Sequence, residues 1–210
     1  MKLAIFGASS ASGKQLVDQA LAAGHTITAL LRDTTKLPAR TGLTIVAGDA
    51  TDAAKVADTV RGADAVLGLL GPKGPSAKGL CATSTRLIVD AMKQHGVRRV
   101  VIVSVAGVPM PQDKRDGVAK AIGALLKFFL KQMFADREAQ IAALQASNTD
   151  WVVLRLPRLT NDPPTGKWAL GYPAMSPKLV ICRADLAAAM LAQLTDTTWL
   201  KQAPIINAAP

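Results

Sequence analysis

Residues 7–13, GASSASG, have the types and spacing of a phosphate-binding loop. They follow a short apolar run at residues 3–6 and lead into a helical pattern. A strand, a glycine turn and a helix start present free backbone N–H groups, and such groups bind phosphate. We therefore expect this loop to hold the pyrophosphate of a dinucleotide. The expected contact residues are Gly7, Ser9, Ser10, Ala11, Ser12 and Gly13.

Ser10 stands where the usual dinucleotide fingerprint has its middle glycine, which lets the backbone approach the pyrophosphate closely. Ser10 must therefore have a backbone angle that serine tolerates, or the phosphate lies slightly farther out. Its hydroxyl, like those of Ser9 and Ser12, can donate to a phosphate oxygen. The simpler alternative is a serine-rich helix start in which Ser12 is only the N-cap.

An arginine follows the second predicted strand, where dinucleotide-binding proteins select their cofactor. An acidic residue about 20 positions beyond the loop would bind the ribose hydroxyls of NAD. Here Arg32 comes first, and its guanidinium can pair with a 2′-phosphate, with Lys36 adding charge. The sequence thus predicts NADPH (or NADP⁺) as cofactor, with NADH bound more weakly. Asp33 argues the other way, and a surface arginine at the sheet edge is the alternative.

Two later turns extend the predicted cofactor site. Asp49 and Ala50 follow the third predicted strand, where the adenine would lie. Leu70 and Gly71 follow the fourth, where a glycine lets the backbone pass close to the cofactor. Each could be an ordinary turn, but together with the loop they favour a dinucleotide.

The elements that must position these residues alternate along the chain. This alternation predicts an α/β fold, a doubly wound and mostly parallel sheet (Rossmann fold) in three α/β/α layers. We expect one NAD(P)-binding domain over residues 1–210, with a small substrate-loop region at about 157–182. Strands are predicted at 2–6, 26–31, 43–47, 65–70, 99–105, 151–156 and 203–207, and helices at 13–23, 52–60, 78–95 and 185–194.

Two segments are less regular. Residues 161–178 are rich in proline and glycine, which predicts a functional loop without regular structure. Residues 117–144 combine apolar residues at helical spacing with several basic ones, Arg137 among them. We expect that stretch to be a helix packed on the sheet; a lid or dimer contact, and association with an anionic membrane, are alternatives.

Composition excludes several classes of protein. The net charge of +10 fits anionic small molecules, but basic residues form no long run and aromatic residues make up only 4%, which argues against nucleic-acid binding. The two cysteines, Cys81 and Cys182, fit no metal pattern, and we expect no metal site. Without an apolar run of membrane-spanning length, we expect a cytoplasmic monomer or homodimer that acts on an anionic or aromatic small molecule.

The motifs taken in order resemble the atypical short-chain dehydrogenase/reductase family, and more narrowly bacterial NAD(P)H-binding proteins similar to flavin reductase/biliverdin-IXβ reductase. The resemblance implies the doubly wound fold, a nicotinamide cofactor and reduction of flavins or linear tetrapyrroles. Its carriers are AIFGA at 4–8, LLRD at 30–33, VAGD at 46–49, AVLGLLG at 65–71, MKQHGV at 92–97, LQAS at 144–147, WVVLRLP at 151–157, DPPTG at 162–166 and RADL at 183–186.

The resemblance also implies a hydroxyl beside the nicotinamide. Relatives commonly carry a serine or threonine pair after the fifth strand, and the functional member falls on Val105 here, one step after Ser104. Neighbouring strand residues point to opposite faces. Ser104 is therefore our candidate catalytic residue if a local shift occurs; otherwise the hydroxyl is absent, or Ser104 is a buried hydroxyl satisfied by backbone.

The sequence lacks the tyrosine–lysine pair that serves as a proton relay, and this absence limits the kinds of substrate that the protein could reduce. Ordinary members use a tyrosine and a lysine four positions later, but the only tyrosine, Tyr172, is not followed by such a lysine. Reduction of an unactivated ketone would forfeit about 10²–10⁴ in rate without a positioned acid. A flavin, a tetrapyrrole or a quinone stabilises the incoming hydride itself. Arg155 and Arg158 could hold an acidic group of such an acceptor, although Arg155 could equally pair with a carboxylate of the scaffold.

Three functions compete at this point. An NADPH-dependent reductase of flavin-like, tetrapyrrole-like or quinone-like acceptors is favoured. A non-catalytic NADP(H)-binding redox sensor or regulatory protein is the main alternative, because the relay is missing. A sugar or nucleotide epimerase is disfavoured for the same reason.

Overall fold

A central eight-stranded sheet organises the chain in the computed structural model, which describes residues 1–71, 79–114, 130–174 and 179–209. The strand order is β3-β2-β1-β4-β5-β6-β10-β8, and a separate two-stranded sheet pairs β7 with β9. The strands are Lys2–Phe6 (β1), Thr26–Leu31 (β2), Leu43–Ala47 (β3), Ala65–Gly68 (β4), Arg99–Val105 (β5), Asp150–Leu156 (β6), Arg158–Thr160 (β7), Trp168–Gly171 (β8), Val180–Cys182 (β9) and Ile205–Ala208 (β10).

The helices cover both faces of this sheet. One apolar cluster lies between the sheet and α1 with α5, and a second lies between the sheet and α2, α3 and α4. Within the described ranges the α-helices are Ala11–Ala22 (α1), Ala53–Val60 (α2), Leu80–His95 (α3), Lys131–Gln145 (α4) and Arg183–Ala192 (α5). The predicted three-layer, doubly wound fold is confirmed.

The sheet is parallel except at one edge, where β8 runs antiparallel to β10. The chain winds from β1 outward to β3 and then crosses to the other side of β1 at β4. This reversal creates a crevice at the carboxyl ends of β1 and β4, the place where open α/β sheets bind ligands. The residues that follow these two strands therefore form the first candidate site.

Several predicted boundaries are exact, and others need correction. β1, β2, β3 and β5 have the expected bounds, and Asp52 caps α2 as expected. β4 ends at Gly68 rather than at residue 70. The breaker-rich stretch 161–178 was expected to lack regular structure, but β8 lies inside it because its backbone pairs with β10.

The predicted helix at 117–144 is described only in part. α4 confirms its C-terminal portion, whereas residues 115–129 lie outside the described ranges, as does Lys78 of the predicted helix 78–95. Among the helices that the structure describes, none has the length and apolar character needed to cross a bilayer.

Candidate functional site

A groove opens where β1, β2, β3 and β4 end, and it brings together most of the residues that the sequence indicates. Eight of the predicted cofactor residues line it: Gly7, Ser9, Ser10, Arg32, Asp49, Ala50, Leu70 and Gly71. The remaining lining residues are Phe6, Leu30, Leu31, Asp33, Lys36, Gly48, Leu69 and Leu80. Leu80 comes from the start of α3 and had no signal in the sequence.

The loop between β1 and α1 requires glycine at both of its ends. Gly7 has φ of +88°, and a Cβ there would lie 2.7 Å from the backbone carbonyl of Leu69. A Cβ on Gly13 would lie 2.2 Å from the Gly7 carbonyl oxygen. Only glycine thus lets the turn pass β4 and lets α1 pack against the turn. This cradle fits a pyrophosphate, because the backbone can approach a ligand closely.

Ser10 fills the place of the middle glycine without backbone strain. Its φ of −73° and ψ of 162° are extended values that any residue adopts. Its Oγ accepts a hydrogen bond from the Gly13 N–H at 3.0 Å, so Ser10 is the N-cap of α1. The alternative in which Ser12 is the N-cap is wrong, because the helix begins at Ala11 and Ser12 lies buried within its first turn.

The start of α1 leaves backbone donors for a ligand. In the first turn of a helix the N–H groups have no partner four residues earlier. The Gly13 N–H is satisfied by Ser10, and the Lys14 N–H donates to the Ser10 carbonyl at 2.9 Å. Among the described residues the N–H groups of Ala11 and Ser12 have no acceptor, and they lie at the positive end of the helix dipole, where an anion is stabilised.

Arg32 lies at the rim of the groove with most of its side chain exposed. Its Nε is 3.8 Å from Oδ2 of Asp49, and its side chain remains 69% exposed. An exposed pair at that distance stabilises little, so the guanidinium can turn to another anion. The hydrogen bonds that Thr51 donates lower the pKa of Asp49, which keeps this carboxylate ionised at neutral pH.

The neighbouring Asp33 is engaged in local structure. Its Oδ1 accepts hydrogen bonds from the Thr35 N–H at 3.1 Å and the Thr35 hydroxyl at 2.6 Å, which caps a short 3₁₀ turn. Lys36 Nζ lies 3.4 Å from its Oδ2. The hydrogen bonds from Thr35 lower the pKa of Asp33. The Asp33 carboxylate, which favours NAD, therefore has protein partners, whereas Arg32 has a single long contact within the described part of the chain.

Ser104 is buried on β5 and does not line the groove. Only 1% of the residue is exposed, and its Oγ has no hydrogen-bond partner within the described part of the chain. Within the described residues no backbone group satisfies this hydroxyl, which contradicts the alternative of a backbone-satisfied Ser104. A buried hydroxyl without a partner is costly and needs an explanation.

Arg155 belongs to the scaffold, and its assignment to substrate binding needs correction. Its side chain is fully buried and forms an ion pair with Asp113, with Nη1 2.9 Å from Oδ2. Nε donates to the Ala203 carbonyl at 2.6 Å and Nη1 to the Val108 carbonyl at 2.7 Å. These bonds use most of its donors, so the scaffold alternative holds. Arg158, by contrast, is exposed on β7.

Tyr172 packs against this buried ion pair. The Arg155 guanidinium carbon lies 5.6 Å from the centre of the tyrosine ring, and the hydroxyl accepts a hydrogen bond from the Ala203 N–H at 3.3 Å. Burial raises the pKa of this phenol, so it stays protonated at neutral pH. Tyr172 therefore has a structural role beside β10.

Arg137, one of the basic residues of the 117–144 stretch, is buried beneath the groove. Its guanidinium donates to the carbonyl of Leu70, which follows β4. A buried arginine cannot be told from a surface arginine by residue type alone. Within the described ranges no cluster of three metal-ligating side chains is found, and His25 and His95 lie away from the groove.

This fold, with a glycine-restricted loop at the crossover of a parallel sheet, defines a dinucleotide-binding protein. Residues 7–197 match the model of the family described as NAD(P)H-binding, and the chain belongs to this family. The resemblance inferred from the sequence is thereby confirmed at the level of NAD(P)H binding.

Three solved structures illustrate the similarity of fold. An anaerobilin reductase, ChuY, from Escherichia coli O157:H7 superposes with a TM-score of 0.81 at 21% identity, over 99% of this chain and 97% of that one. A candidate NADH-flavin reductase from Streptococcus pneumoniae gives 0.79 at 21% identity, over 100% of both chains. A short-chain dehydrogenase/reductase from Veillonella parvula, solved in complex with NADP, gives 0.78 at 22% identity, over 98% and 94%.

Proposed function

We propose that this chain is an NADPH-dependent reductase that transfers a hydride to a flavin, a tetrapyrrole or a quinone-like acceptor. The observation that carries the proposal is the groove itself: a glycine cradle at one side and an available arginine, Arg32, at its rim. The family is NAD(P)H-binding, and the similar structures include a candidate flavin reductase and an anaerobilin reductase.

Different residues of the groove bind different parts of the cofactor. The N–H groups of Ala11 and Ser12, with the hydroxyls of Ser9 and Ser10, hold the pyrophosphate. The Ser10 hydroxyl can do this because its oxygen accepts from Gly13 while its hydrogen remains available to donate. Gly7 and Gly13 allow the close approach.

The other end of the cofactor meets the ends of β2, β3 and β4. Arg32 pairs with the 2′-phosphate, which a guanidinium binds in a forked geometry. Asp49 and Ala50 border the adenine, and Leu70 and Gly71 border the nicotinamide half. Arg32 contacts Asp49 only at 3.8 Å, so it can exchange this contact for the phosphate.

When bound, the nicotinamide cofactor supplies the hydride. The protein contributes binding and orientation, and the sequence offers no Tyr-x-x-x-Lys pair to deliver a proton. An acceptor that stabilises the added electron pair in its own conjugated system needs no such relay. Ser104 is the candidate hydroxyl near the end of β5, and Arg158 is the exposed cation that can hold an acidic group of the acceptor.

The test is steady-state oxidation of NADPH with FMN, riboflavin, biliverdin and quinones as acceptors, with NADH in parallel. We expect turnover with at least one acceptor and a higher kcat/KM for NADPH than for NADH. Binding of NADPH without turnover of any acceptor would overturn the reductase and leave the redox-sensor alternative.

A further inference from the structure

Asp136 and Arg137, two consecutive residues of α4, form hydrogen bonds with the backbone of segments that line or adjoin the groove. Asp136 accepts hydrogen bonds from the backbone N–H groups of Cys81 at 3.1 Å and Ala82 at 2.8 Å. The N-cap residue of α3, Gly79, forms no side-chain cap. Asp136 therefore caps α3 from a different helix and fixes the position of Leu80, which lines the groove.

The next residue, Arg137, connects the ends of two strands. Both of its terminal nitrogens lie 3.3 Å from the Leu70 carbonyl oxygen, beyond β4, and Nη1 lies 3.4 Å from the Val103 carbonyl oxygen on β5. Nη1 also donates to Gln140 Oε1 at 3.0 Å. Arg137 is 6% exposed, and it has no carboxylate partner within the described ranges. Buried arginines usually have one, so neutral carbonyl partners are a distinctive arrangement.

The contact extends to Gly71, which lines the groove. A Cβ on Gly71 would lie 3.6 Å from Nη2 of Arg137, so the guanidinium packs directly behind this residue. Leu70 and Gly71 line the groove next to the phosphate loop, since a Cβ on Gly7 would lie 3.1 Å from the Leu70 backbone nitrogen. The planar fork of an arginine fixes several acceptors at once, which a lysine cannot do.

We propose that Asp136 and Arg137 are positioning residues for the nicotinamide half of the cofactor, a role that rests on the proposed function. They act through backbone: Asp136 places the start of α3, and Arg137 sets the spacing between the ends of β4 and β5. Misplacement of reacting groups by about 1 Å can cost about 10²-fold in rate, so this spacing matters for hydride transfer.

The test compares two ligands that reach different distances along the groove. Adenosine 2′,5′-bisphosphate occupies only the adenine end, whereas NADPH also reaches Gly71. For Arg137→Met we expect the Kd of NADPH to rise by about tenfold, because the Leu70 carbonyl loses its charged donor and the Leu70–Gly71 segment is no longer held in place. The Kd of adenosine 2′,5′-bisphosphate should stay within about twofold of the wild type, because the adenine end has no contact with Arg137. For Asp136→Ala we expect the same selectivity.

Arg99→Met is the matched control. Arg99 also donates to backbone carbonyls, those of Gln193 and Asp196, but it stands at the opposite end of β5. The Arg99→Met substitution should leave the affinities for NADPH and adenosine 2′,5′-bisphosphate unchanged. If Arg137→Met does not fold, Arg137→Lys carries the test and should show a smaller loss confined to NADPH.

Equal losses for both ligands, or no loss for either, would overturn the positioning role. The comparison measures binding and needs no turnover, so it stands apart from the reductase assay. Failure of the wild type to turn over any acceptor would refute the proposed function, and the two binding constants would still decide the role of Arg137.

Discussion

The Oγ of Ser10 accepts a hydrogen bond from the Gly13 N–H at 3.0 Å. This bond explains how the loop works without its usual middle glycine. It satisfies one of the unpaired donors at the start of α1. In the proposed cofactor site the hydroxyl hydrogen is then available to donate to the pyrophosphate.

Replacement of Ser10 should reveal its contribution as a helix cap. Ser10→Ala should lower the free energy of unfolding by about 1 kcal/mol, whereas Ser10→Gly should lower it by only a few tenths, because glycine is itself a tolerated N-cap. Urea denaturation of both variants measures the difference. Equal destabilisation by the two substitutions would contradict the capping role.

Gly7 should tolerate no side chain, for both conformational and steric reasons. Gly7→Ala forces a side chain into the left-handed region and against the Leu69 carbonyl, 2.7 Å from the new Cβ. Gly24→Ala is the matched control, since Gly24 has φ of +78° but open space around it. The control should cost about 1–2 kcal/mol of stability for the backbone alone, and Gly7→Ala should cost more and abolish NADPH binding. Thermal unfolding and a binding titration give both quantities.

Ser104 offers a test in which stability and activity move in different directions. Its Oγ is buried without a partner in the described ranges, so Ser104→Ala removes a desolvated polar group and should keep or raise the Tm. If the hydroxyl serves the acceptor, kcat should fall in the same variant, while the Kd of NADPH stays constant. An unchanged kcat would remove Ser104 from the catalytic site.

Asp185 should make the fold sensitive to acid. It is buried, and although burial alone would raise its pKa, hydrogen bonds from the N–H groups of Thr165 and Gly166 and from the Thr165 hydroxyl give a net lowering below 3.8. A pKa that is lower in the folded state means that the stabilisation is full above pH 3.8 and is lost as the pH falls through the folded-state pKa. Unfolding by urea at a series of acidic pH values should show this loss, and Asp185→Asn should flatten the dependence. A dependence as steep in the variant as in the wild type would exclude Asp185 as its source.

The buried parallel strands were the most predictable part of the fold. β1, β2, β3 and β5 have the predicted bounds, because apolar runs bounded by glycine or polar turns mark strands in such sheets. β7 and β9 have three residues each, too few to show any periodicity. β8 exists because it pairs with β10, a partner that local sequence cannot reveal.

In the candidate site, too, residues with a local sequence signal were predictable, and residues placed by tertiary contacts were not. Gly7, Ser10 and Arg32 carry local signals, and the structure brings them to one groove. Whether Arg155 and Arg137 are buried depends on tertiary contacts. Asp113 lies 42 residues from Arg155 along the chain, and Leu70 lies 67 residues from Arg137. Residue type and spacing therefore indicated charge at both positions but could not show that it is buried.

Arg32 provides the most direct test of an NADPH-dependent reductase. The measurement is kcat/KM for NADPH and for NADH, with the best acceptor, in the wild type, in Arg32→Ala and in Arg61→Ala. Arg61 is a suitable control because it is a similarly exposed arginine, paired with Asp58 and remote from the groove. We predict that Arg32→Ala lowers kcat/KM for NADPH by about tenfold or more, as loss of a charged phosphate contact implies, while the values for NADH and for Arg61→Ala stay near those of the wild type. Equal losses for the two cofactors, or no oxidation of NADPH with any acceptor, would contradict the account.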